Sequence, residues 1–187
     1  MKLTIEHMVC DRCIESVRQI FQQEEIPLRE VELGRVETGE PLEPEALEKI
    51  SARLAERGFG LVSNREQEIV ETVKVYLIEY LRYLESNEQP EKFSTFLAGK
   101  LHYNYSYLSK LYSDRQKETI ENHLIRLKIE RVKELLAQER FTLSEIAWRL
   151  SYSSVQYLSN QFKRVTGMTV TEWHKQNHPG RTPLDKV

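Results

Sequence analysis

"EIAWRLSYSSVQYLSNQF", residues 145–162, decides how the chain is read, because an earlier stretch repeats it. Set beneath it, "FLAGKLHYNYSYLSKLY" (96–112) places Ala98 on Ala147, Leu101 on Leu150 and Tyr103 on Tyr152, an offset of 49. One inserted residue makes the offset 50, and Tyr107, Leu108, Ser109 and Tyr112 then fall on Tyr157, Leu158, Ser159 and Phe162. Each copy reads as a short helix with a small residue where a crossing helix comes close, a tight turn, and a second helix. Tyr107, Leu108, Tyr112, Tyr157, Leu158 and Phe162 are expected in the core, since an aromatic stripe at helical spacing is more often packing than a stacking platform.

The segment between the copies, "TIENHLIRLKIERVKELLAQ" (119–138), has no Gly or Pro and carries Ile120, Leu124, Leu127, Val132, Leu135 and Leu136 at helical spacing. Twenty residues at about 1.5 Å each make a rod of about 30 Å. Two helices held that far apart match successive major grooves on one face of B-DNA, whose repeat is about 34 Å. Upstream, "EQEIVETVKVYLIEYLRYLES" (66–86) adds another amphipathic helix, so everything from residue 66 on reads as all-α.

The front of the chain has a different pattern. Leu3 and Ile5 alternate with polar neighbours, as in a half-buried strand, and Ile14, Val17, Ile20 and Phe21 then fall at helical spacing. Val31, Leu33 and Val36 read as a hairpin ending near Gly39, "LEPEALEKISARLAERG" as a Pro44-initiated helix stopped by Gly58, and "FGLVS" (59–63) as a last strand. Strand, helix, two strands, helix, strand is the order of a ferredoxin-like βαββαβ domain. The expected fold class is therefore α+β at residues 1–65 and all-α at 66–178, with a flexible tail at 179–187.

Composition agrees with a soluble globular chain: 30% charged, 40% hydrophobic, net charge −2 over 187 residues. Cut after Glu68, it divides into an acidic front of net −6 and a basic remainder of net +4, which puts a polyanionic partner on the second half. No run approaches the roughly 20 apolar residues of a transmembrane helix, and MKLTIEHMVC lacks a signal peptide's apolar core. A cytoplasmic location with no membrane partner is expected. Only two cysteines are present, Cys10 and Cys13, which excludes a disulfide scaffold. In a reducing compartment a Cys-x-x-Cys pair points to soft-metal binding, reversible thiol chemistry, or neither, with Cys13 merely half-buried at a helix start.

The stretch "TLSEIAWRLSYSSVQYLSNQFKRVTGMTVTEW" (142–173) resembles the signature half of the AraC-type DNA-binding domain. That domain is a seven-helix unit with two helix-turn-helix motifs joined by a long helix, and the resemblance covers about residues 69–176. The first copy departs from it: Tyr112-Ser113-Asp114 stands where the family has Phe-Lys-Lys or similar, and Lys117 takes a Gly position. His102 and Ser151 replace the usual turn glycines. By position the resemblance makes Tyr105, Ser106, Ser109 and Lys110 the exposed residues of the first recognition helix, and Ser154, Val155, Gln156, Ser159, Asn160 and Lys163 those of the second. Gln156 and Asn160 can pair with adenine edges, Val155 can touch a thymine methyl, and Lys110 can reach guanine or phosphate. Lys163 and Arg164 are assigned to phosphate.

"HMVCDRC" (7–13), after a strand and opening a helix, resembles the loop of the heavy-metal-associated domain, Gly-Met-x-Cys-x-x-Cys, with His7 at the Gly position. The resemblance implies Cys10 and Cys13 as ligands of a soft ion, Cu(I) or Zn(II), with Met8 packed beneath the loop. A helix N-terminus at Cys13 is expected to favour thiolate. The function expected is a sequence-specific transcription regulator of double-stranded DNA, not an enzyme, controlled by the metal or thiol state of its front domain, with RNA polymerase and a second copy of the chain as further partners. The alternative is a metal-trafficking or thiol-redox protein whose helical half does not read sequence. No phosphate-loop glycine pattern or nucleophile elbow is present, and two cysteines are too few for a zinc-thiolate alkyl-transfer centre.

Overall fold

A computed structural model describes residues 1–62, 64–176, 182 and 184 of the chain. They form two compact units, Met1–Val75 and Tyr76–Val187. The tail expected at 179–187 lies outside the described residues except for Thr182 and Leu184, as do Ser63 and residues 177–178.

The first unit runs β1 (Lys2–Glu6), α1 (Asp11–Gln23), β2 (Leu28–Glu32), β3 (Arg35–Thr38), α2 (Pro44–Glu56) and β4 (Gly60–Val62). The strands form one sheet in the order β2-β3-β1-β4, with every neighbouring pair antiparallel. Register follows the period-2 pattern: Leu3 sits opposite Val36, and Ile5 opposite Leu61. Leu3, Ile5 and Val36 are buried with Val17, Ile20 and Phe21 of α1 and Ile50 and Leu54 of α2, so one face of the sheet carries both helices. Pro44 occupies the first turn of α2, where its missing N–H costs nothing. Gly34, at φ +72, turns β2 into β3, and a Cβ there would stand 2.7 Å from Val75 Cγ2.

Helix α3 (Arg65–Ser86) follows, and the two units divide within it, after Val75. The opening turns of this helix side with the sheet, since Gln67 Nε2 donates to Glu6 Oε1 at 3.2 Å.

The second unit continues with α4 (Phe93–Leu101), α5 (Tyr105–Gln116), α6 (Ile120–Ala137), α7 (Leu143–Arg149), α8 (Val155–Thr166) and α9 (Val170–Lys175). Among its described residues there is no strand. The caps explain why the helices begin where they do. Asn104 accepts from Ser106 N–H to start α5, Thr119 from Asn122 N–H to start α6, and Ser154 from Tyr157 N–H to start α8. Reciprocal capping boxes, Thr142 with Glu145 and Thr169 with Glu172, start α7 and α9. His102 and Ser151, where the family turn has Gly, adopt the left-handed conformation a glycine would take, at φ 55 and 51.

Around α6 the second helix pair closes a core of Ile129, Val132, Leu135, Ile146, Ala147, Leu150, Leu158, Phe162 and Trp173. Ala147 is buried as the close-approach residue, whereas Ala98 is only half-buried. No helix among the described residues is long and apolar enough to cross a membrane.

Candidate nucleic-acid interface

The residues assigned to reading fall on two helices of equal length, α5 and α8, each of 12 residues and each opening on a side-chain cap. On α8, Gln156, Asn160 and Lys163 recur at helical spacing and are exposed, and Arg164 is exposed beside them. Gln156 Nε2 donates to Asn160 Oδ1 at 2.9 Å, so the two amides present a joint donor and acceptor surface. Gln156, Ser159, Asn160 and Lys163 border a cleft of about 1180 Å³ whose other wall includes His174 and Lys175 of α9. The cleft gathers Lys163, Lys175 and a hydrogen-bonded amide pair, groups that can meet phosphates and base edges, together with one carboxylate, Glu139.

Other assigned residues are partly committed to the fold. Ser154 caps α8, its Oγ accepting from Tyr157 N–H at 3.0 Å, and Ser159 Oγ donates back to Val155 O at 2.9 Å. Val155 is half-buried against the core. On α5, Ser106 and Lys110 are exposed and Ser109 is half-buried. Tyr105, expected exposed, is instead half-buried: its hydroxyl donates to Glu121 Oε1 at 2.6 Å. Burial, and then the Glu121 carboxylate, push its pKa upward.

Two aromatic expectations are corrected. Tyr107 and Tyr157, read as core, are 45% and 53% exposed. Both stand in the first turn of their helix, and each leans on the tyrosine that precedes the cap. Ring centroids are 5.5 Å apart for Tyr103 and Tyr107 and 6.1 Å for Tyr152 and Tyr157. Leu108, Tyr112, Leu158 and Phe162 are buried as expected. His174 and Lys175 at the cleft, and the exposed Trp148 on α7, were not singled out from sequence. The acidic and basic residues around them form no pattern that would have marked them.

In the first unit Cys10 is the N-cap residue of α1 and Cys13 lies in its first turn, with the sulfurs 3.4 Å apart and both residues half-buried. The expected preference for thiolate at Cys13 is reversed: burial raises its pKa more than the backbone hydrogen bonds at Val9 and Cys10 lower it. His7 adopts φ 67 at the loop glycine position, and its Nε2 lies 3.8 Å from Glu6 Oε2. Met8 is buried in the core beneath the loop. Among the described residues no group of three or more His, Cys, Asp and Glu side chains could hold a metal. Two sulfurs fall short of the four donors of a closed zinc site, and they suit a soft monovalent ion better than a hard one.

Comparison with known proteins bears on the second unit. Residues 97–176 match the family model described as "Helix-turn-helix domain". The matched stretch runs from within α4 to the end of α9. No curated protein matches the chain. Among solved structures, the C-terminal domain of AraT, a response regulator from Geobacillus stearothermophilus, superposes with a TM-score of 0.50 at 21% identity, over 64% of this chain and 94% of that one. The transcriptional regulator CdpR from Pseudomonas aeruginosa gives a TM-score of 0.44 at 19% identity, over 85% of this chain and 51% of its own. At the first of these identities the likeness is one of fold.

Proposed function

We propose that the chain is a sequence-specific, double-stranded-DNA-binding transcription regulator of AraC type, with α4–α5 and α7–α8 as its two helix-turn-helix motifs. The observation that carries this reading is the repeat itself: two capped 12-residue helices joined by α6, which at 18 residues spans about 27 Å. That span suits successive major grooves on one DNA face. Gln156 and Asn160 read bases, Lys163 and Arg164 hold phosphate, and Ser106, Ser109 and Lys110 make the first helix's contacts. AraT, whose C-terminal domain has a similar fold, is a response regulator, which accords with this reading without carrying it.

The sheet order β2-β3-β1-β4 supports a ferredoxin-like, heavy-metal-associated-like assignment for the first unit. In this reading the Cys10–Cys13 pair controls DNA binding, through a soft ion such as Cu(I) held by both sulfurs or through its own thiol state. RNA polymerase and a second copy of the chain are the protein partners it adds. Selection of binding sites from a random duplex library, with Gln156→Ala as comparator, tests the reading. Recovery of an asymmetric motif with two half-sites about one helical turn apart, altered by the substitution, is the expected result. Weak, sequence-independent binding whose only feature is steep salt dependence contradicts it.

A further inference from the structure

Helix α6 carries Arg126, Lys128, Arg131 and Lys133. Arg126 lies 2.6 Å from Glu118, Arg131 2.6 Å from Glu85, and Lys133 2.7 Å from Glu130. Lys128 is different: among the described residues it is the basic side chain of α6 with no carboxylate at ion-pair distance. Its Nζ stands 4.0 Å from the centroid of the Tyr152 ring, which offers a π face but no counter-charge. Burial alone lowers its pKa to about 8, with no charged neighbour contributing. Desolvating a cation without pairing it is costly, so an anion placed against Lys128 Nζ is favoured.

There is room for one. Lys128 lines a groove of about 380 Å³ whose walls include Phe93, Leu124, Ile125, Tyr152 and Tyr157. That volume is at the small end of the range for organic ligands, and the walls are mostly apolar around one cation. A second charged side chain, Glu121, also lines the groove and accepts from the Tyr105 hydroxyl. Its negative charge disfavours a second anionic group on an occupant, and disfavours a DNA phosphate chain.

We propose that this groove is a binding site for a small organic monocarboxylate, its carboxylate on Lys128 Nζ and its apolar or aromatic body between the tyrosine and aliphatic walls. Tyr105 opens α5 and Tyr157 lies in the first turn of α8, so the occupant touches the beginnings of both helices. The site itself does not depend on the DNA reading, because it is tested without DNA.

Isothermal titration of the full chain with 2-naphthoate, against 2-naphthamide and inorganic phosphate, decides the matter. The acid binds at pH 7 at least tenfold more tightly than the amide. Affinity for the acid falls about tenfold between about pH 7 and about pH 9, as Lys128 loses its proton. Tyr105 and Tyr152 stay neutral through this window, since burial raises both. Lys128→Met loses the preference for acid over amide, and Lys128→Arg keeps it at the higher pH. Equal binding of acid and amide, unchanged affinity in a Lys128→Met variant with native circular dichroism, phosphate competing with naphthoate, or no binding of the acid at all would each overturn the proposal. If Lys128→Met does not fold, the amide comparison and the pH profile of the unaltered chain still decide it.

Discussion

The two copies end their second helices differently, and this sets up a reciprocal experiment. Lys117 caps α5 at φ 61, and Gly167, fifty positions later, caps α8 at φ 77. In both, the cap N–H donates to the carbonyl four residues back, Ser113 at 3.0 Å and Lys163 at 2.8 Å. A Cβ added at Gly167 meets nothing within 4 Å, so Gly167→Ala isolates the backbone cost from any clash. An L-residue in the left-handed region costs about 1–2 kcal/mol. Restricting the unfolded chain returns about 0.4–1 kcal/mol, leaving a net loss of roughly 1 kcal/mol. Lys117→Gly reverses both contributions and gives up only an exposed hydrogen bond from Lys117 Nζ to Asp114 O. Its expected gain is somewhat smaller, about 0.5 kcal/mol. The two tryptophans, Trp148 and Trp173, both lie in the second unit, so fluorescence-monitored urea unfolding reports on that unit. With a slope of about 1–3 kcal/mol per molar urea, Gly167→Ala lowers the midpoint by about 0.3–1 M and Lys117→Gly raises it. Shifts of the same sign in the two variants, or none for Gly167→Ala, would refute the argument that conformation alone separates these caps.

Three further outcomes are expected, the first two under the proposed function. Gln156→Ala costs about 1–3 kcal/mol on the selected duplex and relaxes preference at one base pair, while non-specific affinity, read by fluorescence anisotropy, stays put. Lys163→Ala and Arg164→Ala weaken binding equally on all sequences, and each makes the log–log salt slope shallower by about 0.9. The Glu145 and Glu172 carboxylates are held below their ordinary value of 4.5, first by the Thr142 and Thr169 backbone N–H groups and then by the threonine hydroxyls. A depressed carboxylate stabilises the fold above its unfolded pKa and stops doing so as pH falls through its folded one. Melting temperature therefore drops on acidification below about pH 4.5, and the Glu145→Gln, Glu172→Gln double variant shows a flatter profile over that interval.

Element order was legible because it rests on periodicity and punctuation. Leu3 and Ile5 alternate, Pro44 opens a helix and Gly58 closes it, and the absence of Gly and Pro from 119–138 leaves α6 uninterrupted. What periodicity cannot supply is the depth of a residue near a helix end. Tyr107 and Tyr157 lie on the stripe with Leu108 and Leu158, but helix ends extend past the core, so both rings remain half in solvent and pack sideways on Tyr103 and Tyr152. Tyr105 erred the other way, since its acidic partner Glu121 lies sixteen residues on and across a turn. At Cys13 the helix terminus and the half-burial were both readable from sequence, but not that burial outweighs the terminus. Lys128 could not be singled out either, because its isolation is a property of what surrounds it in three dimensions.

The comparison of the two copies also separates scaffold from reading. Shared between them are a polar cap at 104 and 154, the exposed tyrosine at 107 and 157, the buried leucine at 108 and 158, and a buried ring at 112 and 162. These features place a helix and specify nothing about a partner. The differences sit on exposed or half-exposed positions: Ser106 against Gln156, Lys110 against Asn160, Ser113 against Lys163, Asp114 against Arg164. Under the proposed function the last two exchange a pair of phosphate-binding cations for a hydroxyl and a carboxylate, and a carboxylate repels the DNA backbone. The second helix then supplies most of the electrostatic affinity, and Lys110 is the one cation among the contact residues assigned to the first. A duplicated scaffold with unequal charge produces an asymmetric site, bound tightly at one half and sampled more loosely at the other, so Asp114→Lys strengthens binding to every duplex without changing which sequence is preferred.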